Sequence, residues 1–219
     1  FVIKMELIMQ SSIHVIKGLR PGYRVGIMAA CHGDELAGLA VHDFLIDYFS
    51  KNKLESGEIL LVIGNPVAWK NGDRCVKYDM NRLFLLDDDP ALKYIDKSAY
   101  DFRRSRELMP TLKDLDYLLD VHNTTRPSAP FSIAISDTPK HLKLAAGLPL
   151  DLIVTGLSGH VSGTACEWVD KNGGVGVVVE CGHLLDASCS NIAITCSKLF
   201  LGQLGMGGFL YDGSHVKEQ

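Results

Sequence analysis

The chain has 219 residues, of which 47% are hydrophobic, with a net charge of −4 and a pI of about 6.1. That length and hydrophobic content suffice for one substantial core, so a single domain over residues 1–219 is the simplest expectation. No surplus of Lys and Arg is available to neutralise phosphates, so we do not expect a nucleic acid partner. Apolar stretches are all well short of the roughly 20 residues needed to cross a bilayer, so no membrane partner is expected either.

The six cysteines are scattered along the chain without a CxxC pair, which argues against a thiolate zinc knuckle or a redox motif. The first ten residues, FVIKMELIMQ, are apolar but lack the basic opening and the small-residue cleavage site of a signal peptide. We therefore expect reduced, buried thiols and a cytoplasmic location.

Strand-like and helix-like segments alternate along the chain. Short apolar runs bounded by Gly, Pro and Asn predict strands over 23–31, 57–66, 116–122, 131–136, 152–156 and 174–182. Helical periodicity predicts helices over 35–52, 99–115 and 186–204. The strands are continuous β-branched runs rather than alternating ones, which predicts an α/β fold with a mixed, largely parallel sheet flanked by helices.

Four polar clusters follow the predicted strands or lie in the long loop between the second strand and the next helix. They cover residues 32–35, 74–82, 122–126 and 180–183. In sheets of this kind, ligand sites form beyond the carboxyl ends of the strands. We therefore expect the four clusters to converge on one site.

The cluster HGDE contains a possible half of a metal site. His32 and Glu35 are three positions apart, and Gly33 between them permits a tight turn. An imidazole and a carboxylate suit zinc, and His122, which ends the strand DYLLDVH, would supply a third protein ligand. The alternative is that His32 and Glu35 open a helix and that His122 is an ordinary buried histidine.

Glu180 ends the most hydrophobic of the predicted strands, GVGVVVE. A carboxylate in that position loses much of its hydration, and burial raises its pKa towards the range useful for a general base. The alternative is a salt-bridged glutamate at a strand end.

The loop sequence RCVKYDMNR brings Arg74, Asn81 and Arg82 together. Arginine binds carboxylates through two parallel hydrogen bonds and can stabilise an oxyanion, so this loop suits an anionic substrate. The alternative is a solvated loop stabilised by Asp73 and Asp79.

Four motifs occur together in the order HGDE, NPVAWKNGDRCVKYDMNRLF, LLDVHNTT and VVVECG. In order and spacing they resemble the succinylglutamate desuccinylase and aspartoacylase family, a branch of the zinc carboxypeptidase-like hydrolases. The resemblance covers nearly the whole chain from Tyr23 onwards. It implies a zinc carboxypeptidase-like (phosphorylase/hydrolase-like) fold and zinc-dependent hydrolysis of the amide bond of an N-acyl amino acid.

The resemblance also implies a metal set of His32, Glu35 and His122, with one Zn²⁺ per chain. Glu180 would be the base that activates water and passes its proton to the leaving amine. Asp120 is expected either to orient His122 or to have a purely structural role.

On the substrate side, the resemblance gives Arg74 as the group that polarises the scissile carbonyl. It gives Asn81 and Arg82 as the pair that holds a substrate carboxylate. We expect Asn123 and Lys171 as further substrate-binding residues.

Two departures from the family pattern bear on specificity. Aspartoacylase-like members have an arginine about ten residues before the catalytic glutamate, where this chain has Asp170, with Lys171 as the only nearby cation. The pattern therefore does not support recognition of an aspartate or succinyl group. Many relatives also continue into a C-terminal β-rich domain beyond the point where this chain ends at Gln219, so we expect a more open cleft or a partner subunit, such as a homo-oligomer, that closes it.

Alternatives to an acylase stay open at this point. They are a zinc carboxypeptidase acting on short peptides, another hydrolase such as a deacetylase or esterase, and a zinc-binding protein without catalysis. The sequence gives no definite role to Asp34 or to His160. Arg126 and His183 are either substrate contacts or residues at the rim.

Overall fold

The computed structural model describes residues 12–157 and 159–210. Within these residues the strands are β1 (Ile13–Lys17), β2 (Arg20–Ala29), β3 (Ser56–Ile63), β4 (Tyr117–Thr124), β5 (Phe131–Ala134), β6 (Ile153–Val154) and β7 (Val175–His183). The α-helices are α1 (Ala37–Lys51), α2 (Pro66–Asn71), α3 (Tyr100–Lys113), α4 (Pro139–Ala146), α5 (Ala165–Lys171) and α6 (Cys189–Gln203). The segment FVIKMELIMQ, for which no signal peptide is predicted, lies outside the described residues.

The strands form one mixed sheet in the order β1-β3-β2-β4-β7-β5-β6. Its four central strands, β3, β2, β4 and β7, are all parallel. β1 pairs antiparallel with β3 at one edge, and β5 pairs antiparallel with β7 towards the other. The predicted mixed, largely parallel sheet is confirmed.

Helices cover both faces of the sheet, which explains the continuous apolar runs in its central strands. Successive residues of a strand pack on opposite faces of the sheet. Ile27 of β2 and Leu119 of β4 belong to the core beneath α1 and α6. Their neighbours Met28 and Leu118 belong to the core beneath α3 and α5. No helix in the described part of the chain is long and apolar enough to cross a membrane.

The sequence pattern predicts neither β1 nor the three short helices α2, α4 and α5. These helices have six, eight and seven residues, too few to show a helical period clearly. The pair Asn65–Pro66, which predicts the end of the second strand, also begins α2. Asn65 Oδ1 accepts a hydrogen bond from the Ala68 backbone at 3.1 Å, and Pro66 occupies the first helical turn.

Candidate active site

Three neighbouring parallel strands bring the main candidate residues to one edge of the sheet. His32 and Glu35 follow β2, His122 lies near the end of β4, and Glu180 lies in β7. His122 and Glu180 are direct register partners on β4 and β7. The predicted convergence of these clusters therefore follows from strand order.

The turn after β2 requires a glycine at position 33. A Cβ atom at Gly33 would overlap the backbone of Ala68 and Trp69 in α2. The Gly33 amide donates to the Arg74 carbonyl at 3.0 Å. The turn that carries His32 and Glu35 is therefore fixed directly to the loop that carries Arg74.

Glu35 lies between two imidazoles. Its Oε1 is 2.9 Å from His32 Nδ1, and its Oε2 is 2.7 Å from His122 Nδ1. All three side chains are buried, and their potential ligand atoms lie within 4.8 Å of one another. Two histidines and one glutamate form a donor set known from catalytic zinc sites.

The other ring nitrogens of both histidines face carboxylates. His32 Nε2 lies 2.9 Å from Asp79 Oδ1, and His122 Nε2 lies 2.9 Å from Asp120 Oδ2. This carboxylate–imidazole arrangement is typical of metal-binding histidines, because it fixes the tautomer and the ring orientation. Asp120 lies where the first of its two predicted roles, orienting His122, requires it. Asp79, predicted only as a charge that stabilises the loop, also contacts His32.

The electrostatics of the cluster favour bound positive charge. Burial alone would raise the pKa of Glu35, but the charges and hydrogen bonds of His122 and His32 hold it well below its usual range. Burial alone would lower the pKa of His122, but Asp120 and Glu35 raise it well above its usual range. Asp79 and Glu35 likewise raise the pKa of His32 against the effect of burial. The residues present therefore fit a metal cation.

A second triple, Cys31, Asp120 and His122, also brings potential ligand atoms within 4.8 Å. Burial and the charge of Asp120 raise the pKa of the Cys31 thiol well above its usual range. Of this triple, His122 lines the site cavity, whereas Cys31 and Asp120 are not among the described residues of its wall.

The Glu180 side chain is half-buried and lines the same cavity as His32 and His122. Its Oε2 is buried and has no hydrogen-bond partner among the described residues. Burial raises the pKa of Glu180, with His122 opposing this effect and Glu35 reinforcing it.

The loop between α2 and α3 contributes the cationic side of the site. Arg74 Nη1 lies 2.6 Å from Glu35 Oε1, and Nη2 lies 3.1 Å from His32 Nε2. Asn81 is buried: its Oδ1 accepts from the Ala165 amide at 2.9 Å, and its Nδ2 lies 3.4 Å from His122 Nε2. Arg82 is exposed to the cavity and donates to the Asn81 carbonyl at 2.6 Å.

The same loop is held by Asp101, a residue that no sequence motif indicates. Asp101, fully buried in the first turn of α3, accepts hydrogen bonds from the backbone amides of Val76, Lys77 and Tyr78 at 2.8–3.1 Å. It also accepts from Asn65 Nδ2 at 2.8 Å. Nothing in the charged helix sequence distinguishes this aspartate from its exposed neighbours, so only the structure identifies it.

These residues line a cavity of about 520 Å³, a volume suited to a small molecule. Asn123 and Lys171 both lie on its wall. The Asn123 side chain accepts from the Ala37 amide and donates to the Gly182 carbonyl, so it anchors the wall. Lys171 Nζ lies 2.8 Å from Glu167 Oε1, so its charge is already paired.

The remaining candidates divide between the cavity and its surroundings. Among the described residues, Arg126 lines the cavity, whereas His160 and His183 do not. Asp34 Oδ1 is buried without a hydrogen-bond partner in the described part of the chain.

Comparisons with known proteins agree with the motif resemblance. The succinylglutamate desuccinylase/aspartoacylase catalytic-domain model matches residues 21–199. A probable aspartoacylase from Nostoc sp. is 31% identical over 134 residues, covering 57% of this chain and 43% of that protein. An N-acyl-aromatic-L-amino acid amidohydrolase (carboxylate-forming) B from Danio rerio is 31% identical over 113 residues, covering 46% of this chain and 34% of that protein.

The fold has solved counterparts. A succinylglutamate desuccinylase from Silicibacter sp. TM1040 superposes with a TM-score of 0.73 at 20% identity, covering 91% of this chain and 63% of that chain. This likeness confirms the carboxypeptidase-like fold. The matched regions span less than half the length of the two curated relatives.

Proposed function

This chain belongs to the succinylglutamate desuccinylase/aspartoacylase catalytic-domain family, and on that premise we propose that it is a zinc-dependent hydrolase of N-acyl amino acids. The observation that carries the proposal is the placement of His32, Glu35 and His122 around one point, with Glu180 on the same cavity. The products are a carboxylate and an amino acid with a free amine.

His32, Glu35 and His122 would hold the zinc ion. When bound there, zinc supplies the Lewis acidity that polarises the acyl carbonyl and acidifies a water molecule. Asp79 and Asp120 orient the two imidazoles from outside.

Glu180 moves the proton. Its unpaired, buried oxygen accepts the proton of the attacking water and delivers it to the nitrogen of the leaving amine. Its raised pKa suits both steps, since a carboxylate of ordinary acidity gives up a proton too readily to retain it between them.

Arg74, Asn81 and Arg82 act on the substrate. The Arg74 guanidinium, in contact with Glu35, stabilises negative charge as it develops on the carbonyl oxygen. Arg82, exposed to the cavity, binds the carboxylate of the amino acid together with Asn81.

The test combines metal analysis with a substrate screen. Metal analysis of the purified protein is expected to find about one zinc per chain, as a catalytic site of this type requires. N-acetyl, N-formyl and N-succinyl amino acids and short peptides are then assayed for hydrolysis. Hydrolysis of N-acyl amino acids supports the proposal, whereas hydrolysis of peptides alone would replace it with a carboxypeptidase. Zinc binding without any turnover would indicate a non-catalytic protein.

A further inference from the structure

One end of the cavity has an apolar floor made by β5 and β7. Ile133 and Val178 are direct register partners on these strands, and Ile135 extends the same surface. Side chains two positions apart on a strand point to the same face, so Val178 and Glu180 share this side of the sheet. The apolar floor therefore begins about 7 Å along the strand from Glu180.

The wall above this floor, on α5, carries negative charge. Asp170 accepts from Ser136 Oγ at 2.6 Å, and its other oxygen lies 3.1 Å from His141 Nε2. Burial lowers the pKa of His141 against the effect of Asp170. Lys171 supplies a cation on the same helix, but Glu167 already pairs with it.

Arg74 lies on the β2 side of the cavity, against Glu35 and His32, whereas the apolar floor lies on β7 and β5, beyond β4 in the sheet. In an N-acyl amino acid, the carboxylate and the acyl chain extend from opposite sides of the scissile amide. In the substrate orientation of the proposed function, with the carboxylate on Arg82 and the carbonyl at Arg74, the acyl chain lies against the floor formed by Ile133 and Val178.

We infer that this end of the cavity accepts an uncharged, apolar acyl group and discriminates against acyl groups that end in a second carboxylate. The inference rests on the proposed function, because that function assigns the direction of the substrate. A carboxylate placed against Ile133 and Val178 would lose hydration without gaining a partner, and Asp170 would repel it.

The experiment compares two acyl groups of nearly equal shape on one amino acid, 4-methylpentanoyl and succinyl. Binding of both ligands is measured by calorimetry on the zinc-loaded Glu180→Gln protein, so that the result does not depend on turnover. We expect the 4-methylpentanoyl ligand to bind about tenfold or more tightly. Equal binding, tighter binding of the succinyl ligand, or binding of neither would overturn the inference. Tighter succinyl binding would point to Arg126, another cation on the cavity wall.

Two variants test the residues responsible. Asp170→Asn and Ile135→Lys are each expected to strengthen binding of the succinyl ligand while changing that of the 4-methylpentanoyl ligand less. The control is Asp114→Asn, which removes a charge from an exposed residue paired with Arg24 outside the cavity. A preference that is unchanged in both variants would contradict the role given to this end of the cavity. Wild-type hydrolysis is assayed separately: an intact binding preference without any hydrolysis would contradict the proposed function and leave the inference standing.

Discussion

The carboxylate of Glu35 contacts His122, 87 positions further along the chain, with Oε2 2.7 Å from Nδ1. Its other oxygen faces His32, so one buried glutamate joins an imidazole in the turn after β2 to an imidazole in β4. The Asn123 backbone amide also donates to Oε2 at 3.0 Å and holds the carboxylate in this orientation. The geometry of the proposed metal site therefore depends on the pairing of β2 with β4.

Replacing either histidine should abolish metal binding. In His122→Ala or His32→Ala, two protein ligands are left where a stable catalytic zinc site needs three, so zinc should fall from about one per chain to near zero. Metal analysis after dialysis measures this. His183→Ala is the matched control, because that histidine does not line the cavity, and it should keep its zinc. A His122→Ala protein with full zinc content would refute the ligand assignment.

Asp79 and Asp120, the carboxylates that contact Nε2 of the two histidines, should strengthen zinc binding without being essential for it. Asp79→Asn removes the charge next to His32 Nε2 but keeps a similar shape. Loss of such an outer partner costs about 10–100-fold in metal affinity, so zinc should still bind but more weakly. Competition with a chelator of known affinity gives the ratio. An unchanged affinity would mean that Asp79 only stabilises the loop.

Asp101 should control the position of the Arg74 loop. Asp101→Ala leaves three backbone amides and the Asn65 amide without their acceptor, at a cost of about 1–3 kcal/mol for each buried group that stays unsatisfied. We expect lower stability in urea and a fall in kcat/KM, with zinc still bound. Asp96→Ala is the control. Asp96 is an exposed carboxylate that also contacts this loop, through the side chain of Lys77. Similar losses in both variants would contradict a specific role for Asp101.

His42 should make stability depend on pH. It is fully buried in α1, with Nε2 donating to the Ile27 carbonyl at 3.0 Å, and burial lowers its pKa to about 4. In the unfolded chain, His42 takes up its proton as the pH falls through about 6.5. In the folded chain it does so only near pH 4. The free energy of unfolding should therefore fall as the pH drops between these values, by about 3 kcal/mol in total from this residue.

The control for this effect is His42→Gln, which keeps a donor for the Ile27 carbonyl but does not titrate. Urea unfolding of both proteins at pH 7.5, 6 and 5 should show a smaller loss of stability in the variant. If the free energy of unfolding falls with pH by the same amount in both proteins, His42 is not the source of the pH dependence.

The sequence predicts the sheet and the principal site residues because both depend on local patterns. Apolar runs identify the central strands, and those of β2, β4 and β7 lead directly to residues of the candidate site, as in DVH for His122. Contacts made across long separations leave no such pattern. The pairing of Asp79 with His32 spans 47 positions, and neither residue indicates the other.

The loop with Arg74 and Asn81 illustrates the same limit. Its composition predicts a site for anions and no role in packing, and Arg74, Asn81 and Arg82 line the cavity. In the structure, Asn81 is buried and binds the first residue of α5, a helix too short to be recognised by periodicity.

The most direct test of the proposed function is the comparison of zinc content and turnover in Glu180→Gln. This change removes the proposed base without removing a proposed metal ligand, and the amide keeps nearly the same size. We predict about one zinc per chain, as in the wild type, and a fall in kcat of about 10²–10⁴-fold on the best N-acyl amino acid substrate. A variant that keeps its zinc and hydrolyses that substrate at the wild-type rate would contradict the account.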